Sequence, residues 1–394
     1  MKRWICAAVA ALCICMQAVP VAAETAKAPS VEALGAVLMD LDTGRVLWEK
    51  DARKPLAMAS TTKIMTCIVA LEHADLKSMA TVSKRAASAP DVQMHLQAGE
   101  EISLEALLYA MMLQSSNDAA VAVAEHVGGT VEDFCRMMTQ KAQAIGAADT
   151  VFETPNGLDG ENHHSTAYDL AMIARYALQN EQFKQIIRMP AYTAHSSRTT
   201  YVVANKNRLL NELSGANGIK TGFTGKAGHC FVGSAERDGL RLISVVLGSG
   251  WGAHGKEQKW VDTKRLLEYG FASYEYAEVL KIGDDAGRVG VERSRTDGVD
   301  VYYAQSICIP MTEAEKENIS VMPRLPETVR APIAAGDVVG TADIFIKGTL
   351  YRSVDICAEE GAERHDLKTS LEKVCGAFLG LGSDKKVEVV LPEF

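Results

Sequence analysis

The chain has no Cys-x-x-Cys pair, no His-Glu-x-x-His, no Gly-x-Ser-x-Gly, no internal repeat and no low-complexity tract. Without such ligand spacings a zinc site has no framework, and neither metal nor cofactor is expected. The missing Gly-x-Ser-x-Gly removes the strand-turn-helix elbow of one large hydrolase class. Cysteine is scattered: of nine, Cys6, Cys13 and Cys15 stand near the N-terminus, and Cys67, Cys135, Cys230, Cys308, Cys357 and Cys375 lie far apart. That is no disulfide framework, and Cys67 and Cys230, set in apolar runs, read as small core hydrophobes. Positive charge is in deficit, with 41 Lys and Arg against 50 Asp and Glu and a net charge of −9, which does not suit nucleic acid.

What is present is an ordinary globular composition, 47% hydrophobic and 23% charged over 394 residues, long enough for two domains. Lys2 and Arg3 precede an apolar stretch from Trp4 to Met16, and Val21-Ala22-Ala23 supply small residues before Glu24. The stretch is shorter than the roughly 20 residues that cross a bilayer, so residues 1–23 read as a cleaved secretory signal rather than an anchor. The protein is therefore expected to be exported, to the extracytoplasmic face of the cell membrane or the cell-wall space. Without Lys2 and Arg3 the net charge is −11, and the expected partners are small or wall-bound rather than polyanionic.

Ala36–Leu41 and Arg45–Glu49 flank Asp42-Thr43-Gly44, a β-hairpin signal. A helix is expected from Ser60 towards Leu76, then two helical pieces, Leu104–Leu113 and Asp118–His126, broken by Gln114-Ser115-Ser116-Asn117. A helix Val131–Ala144 follows the cap Thr130, and a polar loop over 151–165, holding His163 and His164, leads to a capping box at Thr166–Asp169. Cys230–Ala235 and Leu240–Leu247 read as strands paired across Asp238-Gly239, beside a strand bearing Lys220-Thr221-Gly222, and Trp260–Tyr274 as an amphipathic helix. From about 280 the runs are short and β-type: Val299–Tyr303, Ile319–Met322, Ile344–Ile346 and Leu350–Ile356. Over 366–381, Leu367, Leu371, Val374, Phe378 and Leu379 share one helical face, fit to lie on a membrane or to pack on the β-rich part. The resulting division is 1–23 signal, 30–278 mixed α and β, 280–362 β-rich and 366–394 amphipathic segment and tail, an α+β class.

Ser60 and Lys63 stand three residues apart, nearly one helical turn, which hangs the lysine over the serine hydroxyl. A serine hydroxyl is a poor nucleophile without a base, and a lysine desolvated beside other cations is one. Alone the pair is weak, because a solvated helix start carries the same residues. Ser115-x-Asn117 follows 55 residues after Ser60, and Lys220-Thr221-Gly222 another 105 on. On a strand, the last motif lines a cation, a hydroxyl and a side-chain-free position along one edge. Blander readings exist for parts of this: Asn117 as a helix N-cap, and His163 and His164 as loop packing.

The three motifs in this order resemble the D-alanyl-D-alanine carboxypeptidases, the low-molecular-weight penicillin-binding proteins. The likeness runs through Met58–Thr66, Gln114–Ala119, His164–Asp169, Gly218–Thr224 and Leu266–Phe271, roughly residues 30–275, and Lys259-Trp260-Val261-Asp262-Thr263 is most similar to Gram-positive members, sporulation-type ones included. It implies a β-lactamase/transpeptidase-like catalytic domain, a five-stranded antiparallel sheet between helices, followed by a small all-β domain. It implies that Ser60 attacks the bond between two terminal D-alanines of a peptidoglycan stem peptide, with Lys63 as base and Ser115 and Asn117 relaying the proton and orienting the substrate. Lys220 and Thr221 would hold the terminal carboxylate, and the backbone N–H groups of Ser60 and of Phe223, just after Gly222, the oxyanion. Lys259 stands where the family places a second basic residue, though an exposed lysine at a helix start reads equally well. β-Lactams are implied as covalent inhibitors, and the C-terminal helix as a contact with the outer membrane face. The family often has His where Phe223 stands; because only the backbone N–H works there, the departure bears on deacylation and not on the oxyanion hole. Three alternatives share features. A class A β-lactamase needs a Glu-x-x-Leu-Asn element, and Glu153-Thr154-Pro155-Asn156 has the wrong spacing. A D,D-endopeptidase uses the same site on another bond. A non-catalytic penicillin-binding or wall-binding module would be expected to lose Ser60 or Lys63.

Overall fold

The structure, a computed structural model, describes residues 27–90, 92–365, 367, 370, 371, 374 and 375. The signal expected at 1–23, and Phe378, Leu379 and the tail, lie outside the described residues. Strands β1 (Gly35–Asp40), β2 (Val46–Lys50), β3 (Ala216–Thr224), β4 (Gly228–Arg237) and β5 (Leu240–Leu247) form one antiparallel sheet in the order β2-β1-β5-β4-β3. The hairpin appears where expected: the Asp40 carboxylate accepts the Thr43 N–H at 2.7 Å, and Gly44 takes φ +74° to complete the turn.

The longer helices are α1 (Lys63–His73), α2 (Leu104–Tyr109), α3 (Asn117–Gly128), α4 (Val131–Ala144), α5 (Ala167–Ala177), α6 (Glu181–Arg188) and α7 (Gly252–Ser273). Alternation along the strands divides the sheet between two cores. Val37, Met39, Val232, Ile243 and Val245 face the helical side that contains α1, while Leu38, Phe231, Leu242 and Val246 face Trp260, Leu266 and Leu267 of α7. With both faces covered, the central strands are apolar throughout, which is why they read as continuous runs. Helix α1 is buried from Lys63 to Ala70, so a lysine sits inside the core at its first residue.

The structure corrects three expectations about elements and adds one that was not foreseen. Helix α7 begins at Gly252, eight residues before Trp260, because the glycines that weaken its first turns serve packing: a Cβ on Gly255 would stand 2.2 Å from the Gly250 carbonyl carbon. The helix expected over Leu104–Leu113 turns into a π-turn at Ala110–Gln114. The Thr166 hydroxyl does cap α5 through the Asp169 N–H, but the Asp169 carboxylate turns to the Asp149 N–H and the Thr150 hydroxyl, so no reciprocal box forms. A hairpin of Ala191–His195 with Thr200–Ala204 was not legible in the sequence.

The second unit contains β6 (Glu275–Leu280), β7 (Asp285–Glu292), β8 (Gly298–Tyr303), β9 (Ile307–Met311), β10 (Ile319–Arg324), β11 (Thr328–Arg330), β12 (Val338–Ile346) and β13 (Thr349–Ala358). Six of them form a sheet in the order β10-β12-β13-β8-β7-β11, and β6 pairs with β9. Val289, Val301, Ile309, Ile344 and Ile356 fill its separate core. Arg45 at the start of β2 reaches across to the Pro310 carbonyl and, at 2.7 Å, to Glu315, and the Tyr276 hydroxyl donates to Asp40 at 2.7 Å. Cys67, Cys135, Cys230, Cys308, Cys357 and Cys375 are free thiols. No described helix is long and apolar enough to cross a membrane.

Candidate active site

Ala59 takes φ +48° and starts a 3-10 turn, Ala59–Thr62, that runs into α1. The Thr61 hydroxyl donates to the Met58 carbonyl and the Thr62 hydroxyl to the Ala59 carbonyl, pinning the turn from inside. This sets Ser60 Oγ 2.8 Å from Lys63 Nζ. Lys63 is wholly buried, and its Nζ also donates to Asn117 Oδ1 at 2.8 Å and the Asn156 carbonyl at 2.5 Å. All three partners are neutral. Burial, and then the charge of Lys220, holds the Lys63 pKa well below the ordinary lysine value, against an opposing pull from Asp118.

The break between α2 and α3 delivers the second motif. The π-turn ends with Ser115 in the left-handed region at φ +73°, a backbone state uncommon outside glycine. Ser116 occupies the cap position of α3 and Asn117 is its first residue, so the N-cap reading of Asn117 is corrected. Its side chain instead spans Lys63 and the Pro90 carbonyl, the latter through Nδ2 at 2.9 Å. Next to it, the buried Asp118 carboxylate accepts backbone N–H groups of Met94, Leu96 and Ala119, tying the 92–97 segment to α3.

The third motif lies on β3, an edge strand. Lys220 and Gly222 project towards the Ser60 turn: a Cβ on Gly222 would lie 3.0 Å from Ser60 N and 3.1 Å from the Ala59 Cβ. Lys220 is buried, its Nζ donates to the Thr221 carbonyl at 3.1 Å, and burial followed by the charge of Lys206 pushes its pKa down to about 7. Phe223 pairs with His229, whose own N–H and carbonyl bond to Gly250 and Ser249 on the other side. The pair is therefore not hydrogen-bonded, and the Phe223 N–H points off the free edge of the sheet. The Phe223 ring is half exposed and stacks on the His229 ring at 4.3 Å. Lys259 is neither exposed nor at a helix start. It is buried in α7, donates to the Lys256 carbonyl at 2.7 Å, lies 4.9 Å from the centre of the Trp260 ring, and has a pKa lowered to about 8, first by burial.

Sequence reasoning passed over the loop that closes this cluster from below. Thr66 Oγ1 donates to the Pro155 carbonyl at 2.6 Å, which puts the Asn156 carbonyl on Lys63 and lays Gly157 on the Ala59–Thr62 turn. A Cβ on Gly157 would sit 2.0 Å from the Ala59 oxygen, and φ there is +85°. The polar loop over 151–165 was visible, but nothing local tells which surface a loop will press against. His163 and His164 point apart, the first buried against Thr62 and the second donating to the Asn162 carbonyl. Among the described residues no cluster of His, Cys, Asp or Glu could hold a metal.

A lysine made less basic by burial, a serine in contact with it, and an edge strand with a free N–H and a cation are the parts of an acyl-transfer site. Comparisons with known proteins point the same way. Residues 22–250 match the family model for D-alanyl-D-alanine carboxypeptidases, and 274–364 match the C-terminal domain of penicillin-binding protein 5. The chain is similar to D-alanyl-D-alanine carboxypeptidase DacF of Bacillus subtilis, 30% identical over 352 residues, covering 88% of this chain and 90% of the relative. It is also similar to D-alanyl-D-alanine carboxypeptidase DacC of Escherichia coli, 32% identical over 359 residues, covering 87% of each chain. The crystal structure of penicillin-binding protein 5 from Haemophilus influenzae superposes with a TM-score of 0.73 at 28% identity, covering 86% of this chain and 99% of that one. The chain belongs to the D-alanyl-D-alanine carboxypeptidase family and is a serine-type carboxypeptidase of the low-molecular-weight penicillin-binding type.

Proposed function

We propose that the enzyme removes the terminal D-alanine of peptidoglycan stem peptides through an acyl-enzyme on Ser60, with Lys63 as the base. The observation that carries this reading is the environment of Lys63 Nζ. A neutral amine has two N–H donors and one lone pair. Two carbonyl oxygens, Asn117 Oδ1 and Asn156 O, take the two donors, which leaves the lone pair for the Ser60 hydroxyl 2.8 Å away. Burial favours that uncharged form.

Ser60 Oγ adds to the carbonyl between the two D-alanines as its proton passes to Lys63. The oxyanion is taken by the N–H groups of Ser60 and Phe223. The C–N bond then breaks, and the proton returns to the leaving amine through Lys63 and Ser115, with Asn117 orienting the peptide. Water cleaves the ester and regenerates Ser60. Lys220 and Thr221 hold the substrate's terminal carboxylate beside Gly222, whose missing side chain lets the peptide approach the strand; a carboxylate arriving at Lys220 favours its charged form. Lys259 serves the same end as a buried positive charge on α7 near His229.

Penicillin, whose ring amide mimics the scissile bond, should add its mass to Ser60 and remain there; a Ser60→Ala protein that still gains the mass sinks the assignment. The exopeptidase reading is tested by comparing a peptide ending in D-Ala-D-Ala with its C-terminal amide. Each charge-assisted bond to the carboxylate contributes about 1.5–3 kcal/mol, so the amide should react ~10- to 100-fold more slowly, and equal rates would favour an endopeptidase. We assign 30–274 to the catalytic unit and 275–362 to the β unit, correcting the join expected at 278–280 because β6 pairs with β9, and we expect the mature enzyme outside the cytoplasm after loss of 1–23. Leu367, Leu371 and Val374 are exposed at helical spacing, which supports a peripheral membrane contact through 366–381.

A further inference from the structure

We propose that Thr62 and His163 are positioning residues that set the strength and direction of the Ser60 N–H in the oxyanion hole. The donor belongs to the Ala59–Ser60 amide, and the other end of that planar unit is the Ala59 carbonyl. The carbonyl accepts the Thr62 hydroxyl proton at 2.8 Å. A hydrogen bond on an amide oxygen polarises the group and makes its N–H the stronger donor, more so where water is excluded. It also fixes the plane of an amide that needs fixing, because Ala59 sits at φ +48°, where a residue with a side chain is held only by its surroundings. Gly157 presses on the same oxygen from the other side.

Thr62 has one hydroxyl proton, and Ala59 takes it. The 2.9 Å contact between Thr62 Oγ1 and His163 Nε2 must therefore be donated by the ring. The tautomer this requires is set by the backbone: His163 Nδ1 accepts the Glu153 N–H at 3.0 Å, so the ring proton is on Nε2. The chain has one direction throughout, from Glu153 N–H to His163, from His163 Nε2–H to Thr62, and from the Thr62 hydroxyl to the amide that ends in the Ser60 N–H. Thr62 is fully buried and His163 nearly so. The charged and titratable groups facing the ring are Glu153, Asp159, His164 and Lys226, and burial dominates them, lowering the His163 pKa to about 4. The ring stays neutral near pH 7, with Nδ1 free to accept.

The inference rests on Ser60 forming the acyl-enzyme, and the two fail separately: unlabelled Ser60 in the wild-type enzyme defeats that reading, whereas the variants below test only the relay. Thr62→Val keeps the shape and loses the hydroxyl; Thr62→Ser keeps the hydroxyl. His163→Asn keeps an acceptor for the Glu153 N–H but is too short for Thr62, and His163→Gln keeps a donor at the Nε2 position. The readouts are the second-order rate of acylation by penicillin and the infrared stretch of the acyl-enzyme ester carbonyl, which reports how strongly the hole polarises it. Thr62→Val and His163→Asn should acylate ~10-fold more slowly, with the stretch at higher frequency, while Thr62→Ser and His163→Gln stay within ~2-fold of wild type. Wild-type rate and frequency in Thr62→Val overturn the proposal. Should that variant fail to fold, equal rates and frequencies in His163→Asn and His163→Gln overturn it instead, because loop packing alone favours neither amide.

Discussion

At the scale of single residues, two glycines border the Ser60 turn and differ in what a methyl group would meet. On Gly157 it meets a carbonyl oxygen at 2.0 Å with φ at +85°, so both space and backbone forbid it. On Gly222 the nearest atoms are at 3.0 and 3.1 Å, which a shift of a few tenths of an ångström relieves. Gly157→Ala should cost more than ~2 kcal/mol of stability and abolish acylation, whereas Gly222→Ala should keep its melting midpoint within a few degrees and slow acylation more than ~10-fold. Thermal melts paired with penicillin labelling separate the two, and equal midpoints would refute the contrast. Charge at this scale sets the pH profile. With Lys63 as the proposed base in its neutral form, kcat/KM should rise with pH through its lowered pKa, and with Lys220 as the proposed carboxylate-binding cation it should fall as pH rises through about 7. Lys206 is exposed and helps depress Lys220, so Lys206→Gln should move the alkaline limb upward; an unmoved limb would show that another group sets it.

Among the elements, α3 holds the 92–97 segment through Asp118 as well as through the Asn117 N–H on the Val92 carbonyl. The Asp118 carboxylate is fully buried and accepts the Met94 and Leu96 N–H groups at 3.1 Å. In Asp118→Asn the amide turns an N–H towards one of these donors, which should cost about 2–4 kcal/mol. Asp118 also raises the Lys63 pKa by its charge, so its loss should shift the acid limb of kcat/KM to lower pH in the protein that remains folded. Urea melts and a pH profile check the two halves, and an acid limb that moves upward would contradict the sign.

For the whole molecule, Arg45 is one of the groups that join the two units, with Tyr276 on Asp40 another. The Arg45 side chain and that of Glu315 are only 12% and 10% exposed, so Arg45→Ala leaves a carboxylate buried without its main partner. We expect a loss of about 3 kcal/mol, seen as earlier unfolding of the β unit, with the acylation rate unchanged because Arg45 touches no group at the nucleophile. A single unshifted unfolding transition would show that Arg45 does not couple the units. Deletion from Asp366 should abolish flotation with liposomes, and equal flotation of both forms ends the membrane proposal.

The sequence by itself determined the hairpin, most helices of the first unit, the paired strands β4 and β5, and the places of the Ser-x-x-Lys, Ser-x-Asn and Lys-Thr-Gly motifs along the chain. These are legible because they are local: side-chain period reports which face is buried, and a short motif carries its own spacing. It left β6, β7, β9 and β11 unread: Gly287 and Gly290 in β7 and Pro310 in β9 weaken the strand pattern that pairing restores, and β11 is only three residues long. Only the tertiary structure decided that the Asn156 carbonyl, 93 residues from Lys63, is its third partner, that Gly157 lies on the Ala59 carbonyl, that His163 stands 101 residues from Thr62 yet bonds to it, and that Lys259 is buried. Desolvation explains the difference: a lysine becomes a base, and a histidine stays neutral, only when distant segments exclude water from it, and no spacing along the chain records that exclusion.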